Sequence, residues 1–99
     1  MRGPLEGLRV LDVGTRIAAP FCAGLLGEQG AEVIKVEQPG TGDFMRGIGP
    51  FDDGYSLFWS VEGRGRRSVT LDLHRREGQD LFRRLAATAD VVVENFRPG

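Results

Sequence analysis

The sequence predicts an α/β fold built on a parallel sheet. Three observations carry the prediction. Four short runs rich in β-branched residues recur along 99 residues. Helical patterns of about three turns join the first run to the second and the third to the fourth. Glycine and proline fall between the runs and not within them.

Residues 8–13 form the first run, dominated by Val10, Leu11 and Val13 and stopped by Gly14. This is the pattern of a buried strand. A loop over residues 15–19 follows, and Pro20 is suited to the first turn of a helix. Phe21, Cys22, Leu25 and Leu26 make one apolar stripe on that helix, so Cys22 is expected in the core. Gly30 stands where a C-terminal glycine ends it. Val33, Ile34 and Val36 form a second strand, parallel to the first through a right-handed crossover. Residues 38–54 read as loops with one helical turn near residues 44–46, and residues 55–61 as a short helix. Residues 68–73 alternate Val69, Leu71 and Leu73 against polar neighbours, a third strand. Residues 77–87 carry Leu81, Phe82, Leu85 and Ala86 on one face. Glu77 and Asp80 come early and Arg83 and Arg84 late, in accord with the helix dipole; those two arginines belong to a solvated face. Residues 90–94 form the fourth strand, followed by the loop 95–99. Two and a half helices for four strands leave part of the sheet uncovered, which marks the chain as a piece of a longer protein.

Composition excludes several functions. Thirteen basic and fourteen acidic side chains give a net charge of −1, which no polybasic nucleic-acid binder would have. A hydrophobic content of 40% argues against disorder. One cysteine cannot form an internal disulfide, so a reducing, cytoplasmic compartment is expected. No segment approaches the ~18 apolar residues of a membrane span, and the opening residues lack the apolar run of ~7 that a signal peptide needs. Cys22 and His74 are the only soft ligands, so no metal site is expected.

In a parallel sheet, ligands bind outside the carboxyl ends of the strands. Here those ends are residues 14–19, 37–43, 73–75 and 95–99. The first precedes a helix N-terminus, which favours anions. Arg16, His74, Arg75 and Arg97 add positive charge, so the pattern suits a phosphate-bearing, nucleotide-like ligand. A dinucleotide fingerprint is absent, because Arg16 stands where G-x-G-x-x-G needs its second glycine; Glu37 matches only the ribose-binding acid. No P-loop is present. Asp12, inside an apolar strand, suits a buried hydrogen-bonding role. The glycines around Arg64, Arg66 and Arg67 would let backbone and guanidinium approach a phosphate, or the loop is simply solvated.

Taken in order, these residues resemble a known family. The blocks are Pro4-Leu5-x-Gly7-x-x-Val10-Leu11-Asp12, then Ala19-Pro20-Phe21, then Gly30-Ala31-x-Val33-Ile34-Lys35-Val36-Glu37-x-Pro39-Gly40-x-Gly42-Asp43. Arg46, the segment from Arg66 to Leu73, Glu77-Gly78, and the run from Ala89 to Gly99 (ADVVVENFRPG) follow. Together they are similar to the N-terminal part of class III CoA-transferases, the family of formyl-CoA transferase, carnitine CoA-transferase and α-methylacyl-CoA racemase. The resemblance implies that residues 1–99 are the N-terminal part of a Rossmann-like CoA-binding domain, in a longer protein that forms interlocked homodimers. It implies an enzyme whose partners are an acyl-CoA and a carboxylic acid acceptor, with coenzyme A carried between acids. In the transferases a carboxylate attacks the thioester, and that aspartate lies downstream of the FRPG segment. No residue here is therefore assigned a catalytic role, and the chain alone is expected to be inactive. CoA-binding positions carry over to Ile17 and Ala18, to Leu71, Asp72, Leu73 and His74, and to Asn95, Phe96 and Arg97. Ile17 stands where the transferases carry Gln, Gln38 where they often carry Arg, and His74 where Lys is common. The Arg-rich loop at residues 63–68 is closer to the racemase branch and the insert at 48–61 to the transferases. Both branches stay open, as does an inert fragment.

Overall fold

The computed structural model describes residues 3–98. Its main sheet has four parallel strands: β1 (Arg9–Asp12), β2 (Glu32–Glu37), β5 (Arg66–Thr70) and β6 (Val91–Val93), in the order β5-β2-β1-β6. Two helices complete the crossovers, α1 (Ala18–Glu28) between β1 and β2 and α3 (Arg76–Ala86) between β5 and β6. The excursion between β2 and β5 holds a 3-10 turn (Phe44–Gly47), a hairpin of β3 (Phe51–Asp52) and β4 (Tyr55–Ser56), and the short helix α2 (Leu57–Glu62). The α/β expectation and all four parallel strands are observed.

Register follows from the buried pattern. Val10 lies level with Val33, and Asp12 with Lys35. Val10 and Val33 pack with Ala23 and Ala31 in one buried cluster, so that face of the sheet lies under α1. Leu11, Val13, Ile34 and Val36 alternate onto the opposite face and are buried as well. The chain moves one way across the sheet through α1 and the other way through α3. Right-handed crossovers therefore place the two helices on opposite faces.

Three expectations need correction. Of its large apolar stripe, the helix α1 packs only the partly buried Leu26 against the core. Its inner side is Ala19 and Ala23 with Pro20, continued by Gly27, where an added Cβ would lie 3.1 Å from Val33. Small residues four apart let α1 sit close to the sheet, and Phe21 (50% exposed), Leu25 (48%) and the thiol of Cys22 face outward. We expect Cys22 in the folded chain to react with a disulfide reagent as an ordinary free thiol, and Cys22→Ser to change stability by no more than about 0.5 kcal/mol. Reaction only after adding denaturant would place the thiol in the core. Second, residues 51–56 form a hairpin where only loop and helix were read. Asp53 and Gly54 at its tip have φ of 51° and 80°, the backbone of a type I′ turn, for which Asp-Gly is a favoured pair. Helix α2 then starts at Leu57, capped by Ser56, whose hydroxyl accepts from the Trp59 amide. Third, β5 begins at Arg66 and ends at Thr70, two residues earlier at its start and three at its end than the alternation suggests. Leu71 and Leu73 belong instead to the loop after it. Gly30 ends α1 region as expected, with φ of 104°.

Candidate functional site

The four strand ends converge on one cavity of about 310 Å3. Val13 and Thr15 line it after β1, Val36, Glu37 and Gln38 at the end of β2, Leu71, Leu73 and His74 after β5, and Phe96 after β6. Val13 and Val36 point to the face opposite α1, so the floor is apolar and the rim is polar. That is the usual build of a small-molecule site. Among the described residues no group of three His, Cys, Asp or Glu side chains could hold a metal, and no helix is long and apolar enough to cross a membrane.

The sequence-derived site residues divide by position. Leu71, Leu73, His74 and Phe96 line the cavity. Ile17 is the residue before α1 and, at 61% exposed, stands beside Ala18 at the helix's open amino end. Asp72 shapes its own loop: its Oδ1 accepts from the His74 amide at 3.0 Å, and its backbone carbonyl from the Arg75 amide at 3.2 Å. Asn95 does not face the cavity. Its side-chain amide makes two hydrogen bonds to the Thr15 backbone, Oδ1 accepting from the Thr15 amide at 2.9 Å and Nδ2 donating to the Thr15 carbonyl at 2.8 Å. It thereby ties the loop after β6 to the loop after β1, where the strand order reverses. Arg97 is exposed and outside the cavity lining.

Loop geometry explains these positions. Gly14 is in close contact, because a Cβ there would meet the Ala19 Cβ at 2.2 Å and Asn95 Oδ1 at 3.0 Å. Arg16 has φ of 65°, the left-handed conformation that glycine adopts freely, and its guanidinium stacks 4.4 Å from the Phe44 ring centroid. Gly78, in the first turn of α3, lies where a Cβ would come within 1.9 Å of the Asp72 carbonyl. That approach holds α3 against the loop of residues 71–74.

Two polar networks lie beneath the site, and sequence reading missed both. Lys35, only 1% exposed, directs its ammonium to Gly14 O at 2.6 Å, Asp43 Oδ2 at 2.5 Å and Asp12 Oδ1 at 3.3 Å. Asp12, fully buried, also accepts from the Gly14 amide at 3.0 Å and from Arg66 Nη1. This bears out the buried hydrogen-bonding role expected of Asp12. Arg66 further donates to Pro20 O and to Glu62 O at 2.8 Å, while Arg64 pairs with Glu28. The basic loop thus serves the α1 face, away from the cavity, and Arg66 is not available to a phosphate. The signal was present: Asp12 and Lys35 each interrupt an apolar run, at positions that a parallel pairing places side by side.

The second network surrounds Glu37. Arg46 grips it in a two-pronged pair at 2.6 and 2.8 Å, the Asp43 amide donates at 2.7 Å, and Ser68 Oγ donates as well. Burial pushes this carboxyl's pKa up. Hydrogen bonds from Arg46, Ser68 and the Asp43 amide outweigh it and hold the value at about 2, below the usual 4.5. Its carboxylate oxygens are occupied, which argues against the ribose-binding role suggested by position alone. Arg46 in turn stacks 4.2 Å from the Trp59 ring centroid, and its own pKa is raised by Glu37. A depressed carboxyl stabilises the fold above its unfolded pKa and loses that effect as pH falls from about 4.5 toward about 2. The full gap corresponds to about 3 kcal/mol. Urea unfolding is expected to show that loss between pH 5 and pH 2.5, as approximate limits, and Glu37→Gln to flatten the slope. An unchanged slope in the variant would assign the acid sensitivity to other carboxylates.

Comparison with known proteins adds a lineage to this geometry. The chain is 56% identical over 97 residues to the succinyl-CoA–L-malate CoA-transferase beta subunit of Chloroflexus aurantiacus, covering 97% of this chain and 24% of that protein. It is 44% identical over 102 residues to a succinyl-CoA:mesaconate CoA-transferase of Haloarcula hispanica, covering 98% of this chain and 26% of that protein. The crystal structure of a CAIB/BAIF family protein from Brucella suis superposes with a TM-score of 0.86 at 42% identity, covering 97% of this chain and 26% of that one. The chain thus spans about a quarter of the length of these relatives. The profile of CoA-transferase family III matches residues 5–99. On that match, which runs through all four strands and the loops at their carboxyl ends, the chain belongs to CoA-transferase family III.

Proposed function

We propose that residues 1–99 form part of a CoA-binding domain, and that the whole protein transfers CoA between carboxylic acids. The observation that carries the binding reading is the cavity, lined by residues from the loops after all four parallel strands. Its apolar floor of Val13, Val36, Leu71 and Phe96 suits the pantetheine arm. The open amino end of α1 at Ile17 and Ala18, with His74 in the cavity lining, suits phosphates, and Arg75 and Arg97, outside that lining, are the charges assigned to reach them. Asp72 and Asn95 serve by holding these loops in shape, and Leu73 adds to the wall. The names of the relatives favour a dicarboxylic acyl donor such as succinyl-CoA, with a second acid as acceptor. Covalent catalysis by a carboxylate is assigned to the whole protein and to none of the aspartates here. Coenzyme A is then substrate and carrier, the assembly a homodimer and the compartment cytoplasmic. The Arg-rich segment that resembles the racemase branch is engaged in the Arg66–Asp12 pair, outside the cavity lining.

Titration calorimetry of the folded chain with CoA tests the reading. One-site binding is expected, weakened several-fold by Phe96→Ala. A chain folded by circular dichroism that gives no binding heat would remove the proposal.

A further inference from the structure

Twelve of the thirteen basic side chains are arginine, and Lys35 is the single lysine. Its side chain is 2% exposed, between two carboxylates whose side chains are 0% exposed. Arg66, paired with Asp12, brings the buried group to two cations and two anions. Charge balance explains why the group is tolerated and not what it does. Its geometry is more specific. An ammonium is a compact charge: Lys35 donates a hydrogen bond to the Gly14 carbonyl and sits in ion-pair contact with Asp12 and Asp43. Asp12 accepts from the amide of the same Gly14. Both sides of one residue's backbone are thus fixed from beneath by a buried ion pair, directly before Thr15, which lines the cavity. Asp43 Oδ1 meanwhile caps the 3-10 turn through the Met45 amide at 2.8 Å. That turn carries Phe44, on which Arg16 stacks. Lys35 therefore couples the two segments that set the shape of the β1–α1 loop. A planar guanidinium could not reproduce three diverging contacts from one nitrogen.

We propose that Lys35 is a positioning residue for CoA binding: it touches no ligand and holds the Gly14–Thr15 backbone in the conformation the ligand needs. The proposal rests on the CoA reading above. Being the sole lysine, Lys35 gives one ammonium resonance in a chain labelled with 15N-lysine. In the unsubstituted chain, CoA is expected to slow hydrogen exchange at that ammonium and at the Gly14 and Thr15 amides. The double variant Lys35→Met/Asp43→Asn removes one charge of each sign and leaves Asp12 paired with Arg66. It is expected to lose about tenfold in CoA affinity and to lose exchange protection at Gly14 and Thr15, while Val10 and Val33 keep theirs. Affinity within twofold of the parent, or exchange at the Lys35 ammonium indifferent to bound CoA, would overturn the proposal. If the double variant does not fold, the ammonium measurement on the parent chain decides alone. No CoA binding by the folded parent would instead sink the CoA reading, and unchanged loop protection in the variant would then still refute the positioning role.

Discussion

Asp12→Ala is expected to destabilise the chain by about 3–5 kcal/mol, a large share of the 5–15 kcal/mol typical of a small domain. The reason is not the loss of two attractive contacts. Lys35 and Arg66 are both buried, and Asp12 is the carboxylate that both of them meet. Removing it leaves Arg66 with carbonyl partners only and an Nε that has no partner among the described residues. Desolvation of the Arg66 guanidinium then goes uncompensated, while Lys35 keeps Asp43 and the Gly14 carbonyl. Gly14 also loses the acceptor for its amide. Asp12→Asn keeps the acceptor and removes the charge, so its cost should be smaller. Urea unfolding followed by circular dichroism checks both. A loss below about 1 kcal/mol for Asp12→Ala would mean that water enters the group and solvates the cations.

Gly14→Ala is expected to weaken CoA binding at least tenfold and to cost about 1–3 kcal/mol of stability. The added methyl would overlap the Ala19 Cβ, 2.2 Å away, and press on Asn95 Oδ1 at 3.0 Å. Ala19 is 4% exposed and belongs to the inner side of α1, so it cannot yield without lifting the helix. The loop has to move, and the Asn95–Thr15 clasp moves with it. Binding should suffer more than stability, because the displaced atoms form the cavity rim and not the buried cluster of Val10, Ala23 and Val33. Parallel calorimetry and thermal melts separate the two effects. Undiminished affinity would show that the loop after β1 takes no part in binding.

Some of this architecture is plain in the residues alone. Val10, Leu11, Val33 and Ile34 mark the buried central strands because β-branched residues with no polar alternation suit a sheet covered on both faces, and the Val91–Val93 run marks an edge strand of the same composition that stays largely exposed. Crossover handedness then yields the parallel order, and the strand ends locate the cavity. The orientation of α1 was not legible, because its largest apolar residues face outward and its inner side is alanine and glycine. The hairpin could have been found from Asp53-Gly54, had its flanks been longer than two residues each. Asp12 and Lys35 each stand out as a charge within an apolar run, and strand register is what makes them neighbours. Glu37 illustrates the opposite failure. Its place at a strand end suggests a ligand contact, whereas the Asp43 amide and Arg46 from the segment just after β2, and Ser68 from the neighbouring strand, already engage it. The Asn95 side chain clasps Thr15, a pairing across eighty residues that no local pattern encodes.

The central claim is that the carboxyl ends of the four strands bind CoA. Amide chemical shifts of the 15N-labelled chain, recorded as CoA is added, test it most directly. Shifts are expected at Thr15, Ile17, Ala18, Gln38, Leu71 to His74 and Phe96, with Gly7, Ala31 and Asp90 at the opposite end of the sheet unmoved. Saturable shifts confined to Gly7, Ala31 and Asp90, with the strand ends silent, would contradict it.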